Sequence, residues 1–267
     1  MQILDMRQTD LIPFFTMTFV IAWGILGLYI FASETMVRFF GSLTGQHPLF
    51  YLAVYAPAIS ALVVIFYRQG IEGIRGFLSR LLLWRTSIYW YVMLILIVPL
   101  VFYVSAIFKP GPLGTFFPFA SVTAYVSALF FMAIKGPIEE IGWRGLALPL
   151  LQRGMAPIWA ALVLGVVWAV WHLPAFMLSG TPQSAWALTP FLVGTLALSV
   201  IVTPLFNHSR GSILLPAFFH LQLINPLWPD AQPYDSWVFV GVALVVVWLN
   251  RKTMFSRHNA VTAVVSE

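Results

Sequence analysis

Residues 11–32, LIPFFTMTFVIAWGILGLYIFA, hold no charged side chain, and comparable runs recur along the chain. A helix needs about 20 mainly apolar residues to cross the hydrocarbon core of a bilayer. By that measure eight candidate spans stand out: 11–32, 48–67, 87–107, 119–139 continuing into 140–151, 156–177, 187–206, 211–225 and 236–250. The seventh is short and carries Pro216, so it reads as a broken or partly inserted helix. The expected fold is all-α: a polytopic membrane helical bundle of about eight transmembrane helices. No linker or internal repeat divides the chain, which predicts one multi-pass membrane domain over residues 1–267.

The composition bounds the partners. Of 267 residues 60% are hydrophobic and 9% charged, with a mean hydropathy of +0.90, against roughly 25% charged in soluble domains. The absence of cysteine excludes disulfides, thiolate metal sites and thiol nucleophiles. The net charge of +5 is scattered over loops, so it reports orientation rather than nucleic-acid binding; the bilayer is the expected environment. A cytoplasmic N-terminus puts Arg7, Arg68, Arg75, Arg80, Arg85, Arg153, Arg210, Arg251, Lys252 and Arg257 inside. It leaves Arg38 and Lys109 outside, with Glu34, Asp230 and Asp235. The positive-inside rule therefore predicts a cell-membrane protein with both termini cytoplasmic and the first span retained rather than cleaved. Segment 68–86 reads equally well as an amphipathic surface helix or a basic loop.

Function is sought among the polar groups that lipid should exclude, since a charge at a span centre costs about 2.5–3.5 kcal/mol on insertion scales. Lys135, Glu139, Glu140, Arg144, His172 and His220 lie in or beside predicted spans. Glu139 and Glu140 are the only carboxylates between Glu72 and Asp230. Neighbours on a helix point about 100° apart, so the two cannot serve one partner. Arg144, four residues after Glu140, has the spacing of a helical ion pair and can hold that carboxylate at two points. Glu139 is left free. With two histidines in other spans, it supplies the parts of a water-activating site. Lys135 reads as a snorkelling cation or a partner for a glutamate. On the predicted spans, however, Glu139 and His172 sit near opposite membrane faces.

The segment E139-E140-I-G-W-R144, followed by W168-A-V-W-H172 and H220-L-Q-L-I-N225, resembles the three motifs of the CAAX protease and bacteriocin-processing (CPBP) intramembrane proteases. These motifs are EExxxR, FxxxH and a histidine four residues before Asn or Asp. The family includes type II CAAX prenyl endopeptidases and abortive-infection-like proteins. The resemblance covers residues 120–225, the expected catalytic core. It implies that Glu139 and His172 activate water, that His220 and a third-motif amide stabilise the oxyanion, and that Glu140 with Arg144 organises the site. Position 224 is Ile where the family has Asn or Asp, so Asn225 is the candidate amide, swung back by the bend before Pro226. The family's metalloprotease label leaves zinc open, with Glu139, His172 and His220 as a two-histidine, one-carboxylate set. The favoured mechanism needs no metal. The implied substrate is a peptide, prenylated or otherwise membrane-associated. The competing classes are an ion- or proton-coupled transporter and a catalytically inactive scaffold or immunity protein.

Overall fold

A computed structural model describes residues 5–110 and 116–265; the two chain ends of the topology expectation lie outside them. All regular secondary structure among the described residues is helical, with no strand. In chain order the helices are α1 (Leu11–Phe31), α2 (Ser33–Phe40), α3 (Pro48–Val54), α4 (Ala56–Leu78), α5 (Ile88–Ile107), α6 (Val122–Ala133), α7 (139–152), α8 (Pro157–Trp171), α9 (Leu188–His208), α10 (Leu214–Leu223), α11 (Tyr234–Leu249) and α12 (Arg251–Met254).

Five helical stretches are long and apolar enough to cross a membrane, or six if α3 and α4, bent by 54° at their junction, act as one span. The expected count of eight is not reached because α10 and α11 fall short of spanning length. Large apolar side chains such as Phe31, Tyr67, Tyr89 and Phe116 lie fully outward, an arrangement that water disfavours and acyl chains accept.

The predicted continuous span through 119–151 is broken in its middle. Gly136 and Pro137 interrupt it: Pro137 has no N–H to donate, and the chain makes a tight 3-10 turn over Gly136–Ile138. Tyr55 Oη donates to the Ile134 carbonyl exposed there (2.6 Å). The two halves then differ completely. No residue of α6 is buried, whereas every residue from Glu139 to Gln152 is. Helix α7 is the central rod of the bundle. Gly142 lets it touch α4, since a Cβ there would come within 2.5 Å of the Pro57 carbonyl.

Helices α7 and α8 form a hairpin around residues 153–156. Glu139 lies 13 residues before the end of α7 and His172 just past the end of the returning α8, so both are about 20 Å from the turn at 1.5 Å per residue. The conflict of depth disappears. It came from placing Glu139 at the end of a span when it begins one.

One core cluster joins α1, α3, α4, α7 and α8; a second joins α5, α9, α10 and α11. Ser199 Oγ of α9 donates to the Ala161 carbonyl of α8 (2.8 Å), an interhelical bond that holds the two halves together.

Segment 68–86 is helical as far as Leu82 rather than a plain loop, with Glu72 and Arg75 on an exposed face and Gly73, Phe77 and Arg80 on a buried one. Arg68 pairs with the buried Asp10 and Arg75 with Glu72, but Arg80 is buried. Its guanidinium donates to the carbonyls of Gly211, Gly145 and Val264 at 2.7, 2.7 and 2.6 Å. The Gly145 carbonyl is available because Pro149, four residues on, has no N–H. The tail is fixed at the same face: Gln152 Nε2 donates to the Val261 carbonyl and Arg153 Nε to that of Thr262.

Candidate active site

Between the two core clusters lies a cavity of about 360 Å³ whose walls include Glu139, His172 and His220, one from each of three segments. Its remaining walls are mainly apolar, with Phe50, Trp171, Phe191 and Phe239 among them. Lys135 also lines it; among the described residues it makes no ion pair with a glutamate, and its ammonium instead donates to the Gly45 carbonyl (2.9 Å) and lies 5.0 Å from the Phe50 ring.

Local backbone chemistry fixes each side chain. Helix α8 ends at Trp171, and the His172 N–H turns to the Ala169 carbonyl. An unbroken α-helix would have used the Trp168 carbonyl instead. That carbonyl accepts from the His172 ring at 2.8 Å. A carbonyl only accepts, so His172 Nδ1 carries the proton and Nε2 keeps its lone pair.

The Glu140–Arg144 pair forms as expected, with Nη1 donating to Oε1 at 2.9 Å and both side chains buried. The bond is one-point rather than two-point. Oε1 is shared with His220 Nδ1, which donates to it at 2.8 Å, while the Arg144 guanidinium stacks 4.6 Å from the centre of the Trp168 ring. Sequence spacing had supplied only the first of these partners, because His220 is 80 residues away.

His220 Nε2 is directed at Gly136. A Cβ on that glycine would come within 2.7 Å of Nε2 and, equally, 2.7 Å from Ile224 Cδ1. Only glycine leaves the ring its place. The same distances set the Ile224 side chain beside Nε2, and Ile224 lines the cavity.

Asn225 is not among the lining residues. Its Nδ2 donates to Gln222 Oε1 (3.1 Å) and its Oδ1 accepts from the Leu227 N–H (3.1 Å). The bend before Pro226 therefore closes a local turn instead of carrying the amide back to His220. The structure brings together Glu139, His172, His220, Glu140 and Arg144, and leaves Asn225 apart.

The residue that sequence reading passed over is Trp168. Its Nε1 donates to Glu139 Oε2 at 3.0 Å, and its ring packs edge-on to His220 and tilted against His172. Trp168 stands where the second motif has Phe, so the signal was present: an indole adds an N–H that a phenyl ring lacks.

A metal does not fit the donors as arranged. Among the described residues no three His, Asp or Glu side chains converge closely enough to hold an ion, and one oxygen of Glu139 is taken by the indole.

Residues 121–223 match the sequence model of the Rce1-like type II CAAX prenyl endopeptidases. A CAAX prenyl protease 2 of Methanococcus maripaludis is 28% identical over 151 residues, covering 52% of this chain and 55% of that protein. The chain thus spans about half the length of the curated relative it matches.

Proposed function

This chain is a member of the CAAX protease and bacteriocin-processing family, and from that premise we propose that it is an intramembrane endopeptidase acting on a peptide bond at or in the bilayer. The observation that carries the proposal is the meeting of Glu139, His172 and His220 on one cavity in an otherwise apolar bundle. The proposed substrate is a peptide held at the membrane by a prenyl group or by its own apolar residues. Residues 120–225 would form the catalytic core of a single membrane domain.

The roles follow from the lone pairs. A water in the cavity gives one hydrogen to the Glu139 carboxylate and the other to the lone pair of His172 Nε2, which leaves a lone pair of the water oxygen aimed at the scissile carbonyl. Glu139 takes the proton as the C–O bond forms. The oxyanion is met by His220, whose Nδ1–H is engaged by Glu140 and whose imidazolium presents Nε2–H. Collapse of the tetrahedral intermediate breaks the C–N bond, and the proton held on Glu139 passes to the leaving amine. Arg144 balances the Glu140 charge. No step is routed through a metal.

The direct test is purified protein in nanodiscs with a quenched fluorogenic peptide, farnesylated near its C-terminus. Cleavage that requires Glu139 and His172 supports the proposal; ion or proton flux without any cleavage would favour a transporter.

Two substitutions probe the family positions. Trp168→Phe restores the motif's phenyl ring and deletes the bond to Glu139. We expect kcat to fall about tenfold, in line with about 1.4 kcal/mol for a hydrogen bond to a charged group, with KM little changed. An unchanged kcat would show that the indole N–H is dispensable. Ile224→Asn places an amide beside His220 Nε2, and kcat should rise several-fold as a second oxyanion donor is added. Asn225→Ala, in contrast, should alter kcat less than threefold; a loss of about 10² or more, the size expected for an oxyanion donor, would return Asn225 to the site.

A further inference from the structure

The cavity has a second polar wall that the proposed hydrolysis does not use. It is made by Gln232, Asp235 and Ser236 at the start of α11, with Thr195 of α9 beside them. Asp235 is 6% exposed. Its Oδ1 accepts from the Ser236 N–H at 2.7 Å and its Oδ2 accepts from Gln232 Nε2 at a long 3.3 Å. No lysine, arginine or histidine makes an ion pair with it among the described residues. Lys109, the lysine on that face, is held by Asp230. Gln232 Oε1 is itself buried with no hydrogen-bond partner among the described residues.

A carboxylate in the first turn of a helix is favoured by the helix dipole, and that accounts for Oδ1. It does not account for the wall as a whole, which offers acceptors and no cation. Buried carboxylates are disfavoured unless a charge or several donors meet them. Phe102 and Phe239, in edge contact at 5.8 Å, line the cavity as well. Acceptors flanked by aromatic faces suit a cationic head on an aliphatic stem.

We propose that Asp235 and Gln232 form a specificity subsite for a lysine or arginine side chain of the peptide that occupies this cavity. That the peptide is a substrate rests on the protease reading; the subsite itself rests on the acceptors. The ammonium or guanidinium would bind Asp235 and Gln232 Oε1, and the stem would lie along Phe102 and Phe239. A peptide with a basic residue near the scissile bond would be selected over one with an isosteric apolar residue.

The test walks a single lysine, and in parallel a norleucine, through eight positions of a fluorescent, terminally blocked leucine–alanine peptide. Binding is measured by anisotropy on the Glu139→Gln protein in nanodiscs, and cleavage on the wild type. At one position lysine should bind at least tenfold tighter than norleucine. Asp235→Asn, added to the same background, should reduce that ratio below threefold. Where Asp235→Asn lowers the yield of folded protein, Gln232→Leu serves as the second variant and should cut the ratio at least threefold. Equal binding of both series at every position overturns the proposal. A lysine preference that survives both substitutions overturns it too. Lysine-selective binding without wild-type cleavage would keep the subsite and refute the protease; cleavage without selectivity would do the reverse.

Discussion

Glu139→Gln will lower the rate of peptide cleavage by about 10³–10⁴, near the top of the range for a general base, while the protein unfolds within a few degrees of the wild type. The two halves of that expectation have separate causes. The amide oxygen of glutamine still accepts from the Trp168 indole N–H, which lies 3.0 Å from the native carboxylate, so the side chain keeps its place in the wall. Its basicity is gone, however, and the water's proton has no acceptor of comparable strength. His172 does not compensate. Its ring is fixed by the bond from Nδ1–H to the Trp168 carbonyl, and without the carboxylate beside it an imidazolium there would gain no partner. Cleavage within threefold of wild type would remove Glu139 from the chemistry. A large fall in melting temperature would instead show that its charge is structural.

The bundle was legible in the sequence because lipid imposes one rule on every span: an unbroken apolar run. The number of spans was less legible, since hydropathy is insensitive to helix breaks. Val122–Gln152 reads as one segment, yet Gly136 and Pro137 divide it into an outward helix and a wholly buried one. Those two residues were visible, and weighing them above hydropathy would have moved Glu139 to the start of a helix and settled its depth. For the site, ionisable groups in apolar surroundings pointed to Glu139, Glu140, Arg144, His172 and His220. What sequence could not supply was contact between distant segments. The His220–Glu140 bond joins residues 80 positions apart. Trp168 was only a replacement for the second motif's Phe until its N–H was found on Glu139. Asn225 was chosen for its chemistry; the backbone instead turns Ile224 into the cavity and leaves the amide in a local turn.

Glu140→Ala should damage stability and rate together, and its stability cost should exceed that of Glu139→Ala. Glu140 Oε1 is the single oxygen on which both Arg144 Nη1 and His220 Nδ1 converge, at 2.9 and 2.8 Å. Its removal leaves a guanidinium that is 1% exposed with no counter-ion, and stranding a buried charge costs about 3–5 kcal/mol. Glu139→Ala strands only an indole N–H, a loss of about 1–3 kcal/mol. The melting temperature of Glu140→Ala in detergent should therefore lie below that of Glu139→Ala; equal values would mean that Arg144 finds other partners. Adding Arg144→Met to Glu140→Ala should recover much of the lost stability, because it removes the stranded charge rather than restoring the pair. It should not recover the rate. His220 would still lack the carboxylate that accepts from Nδ1 and fixes its ring, and loss of one oxyanion donor reduces kcat by about 10²–10³. Stability rescued without activity is thus the signature of Glu140 acting on the reaction through His220. Were both to recover together, Glu140 would be no more than a counter-ion for Arg144.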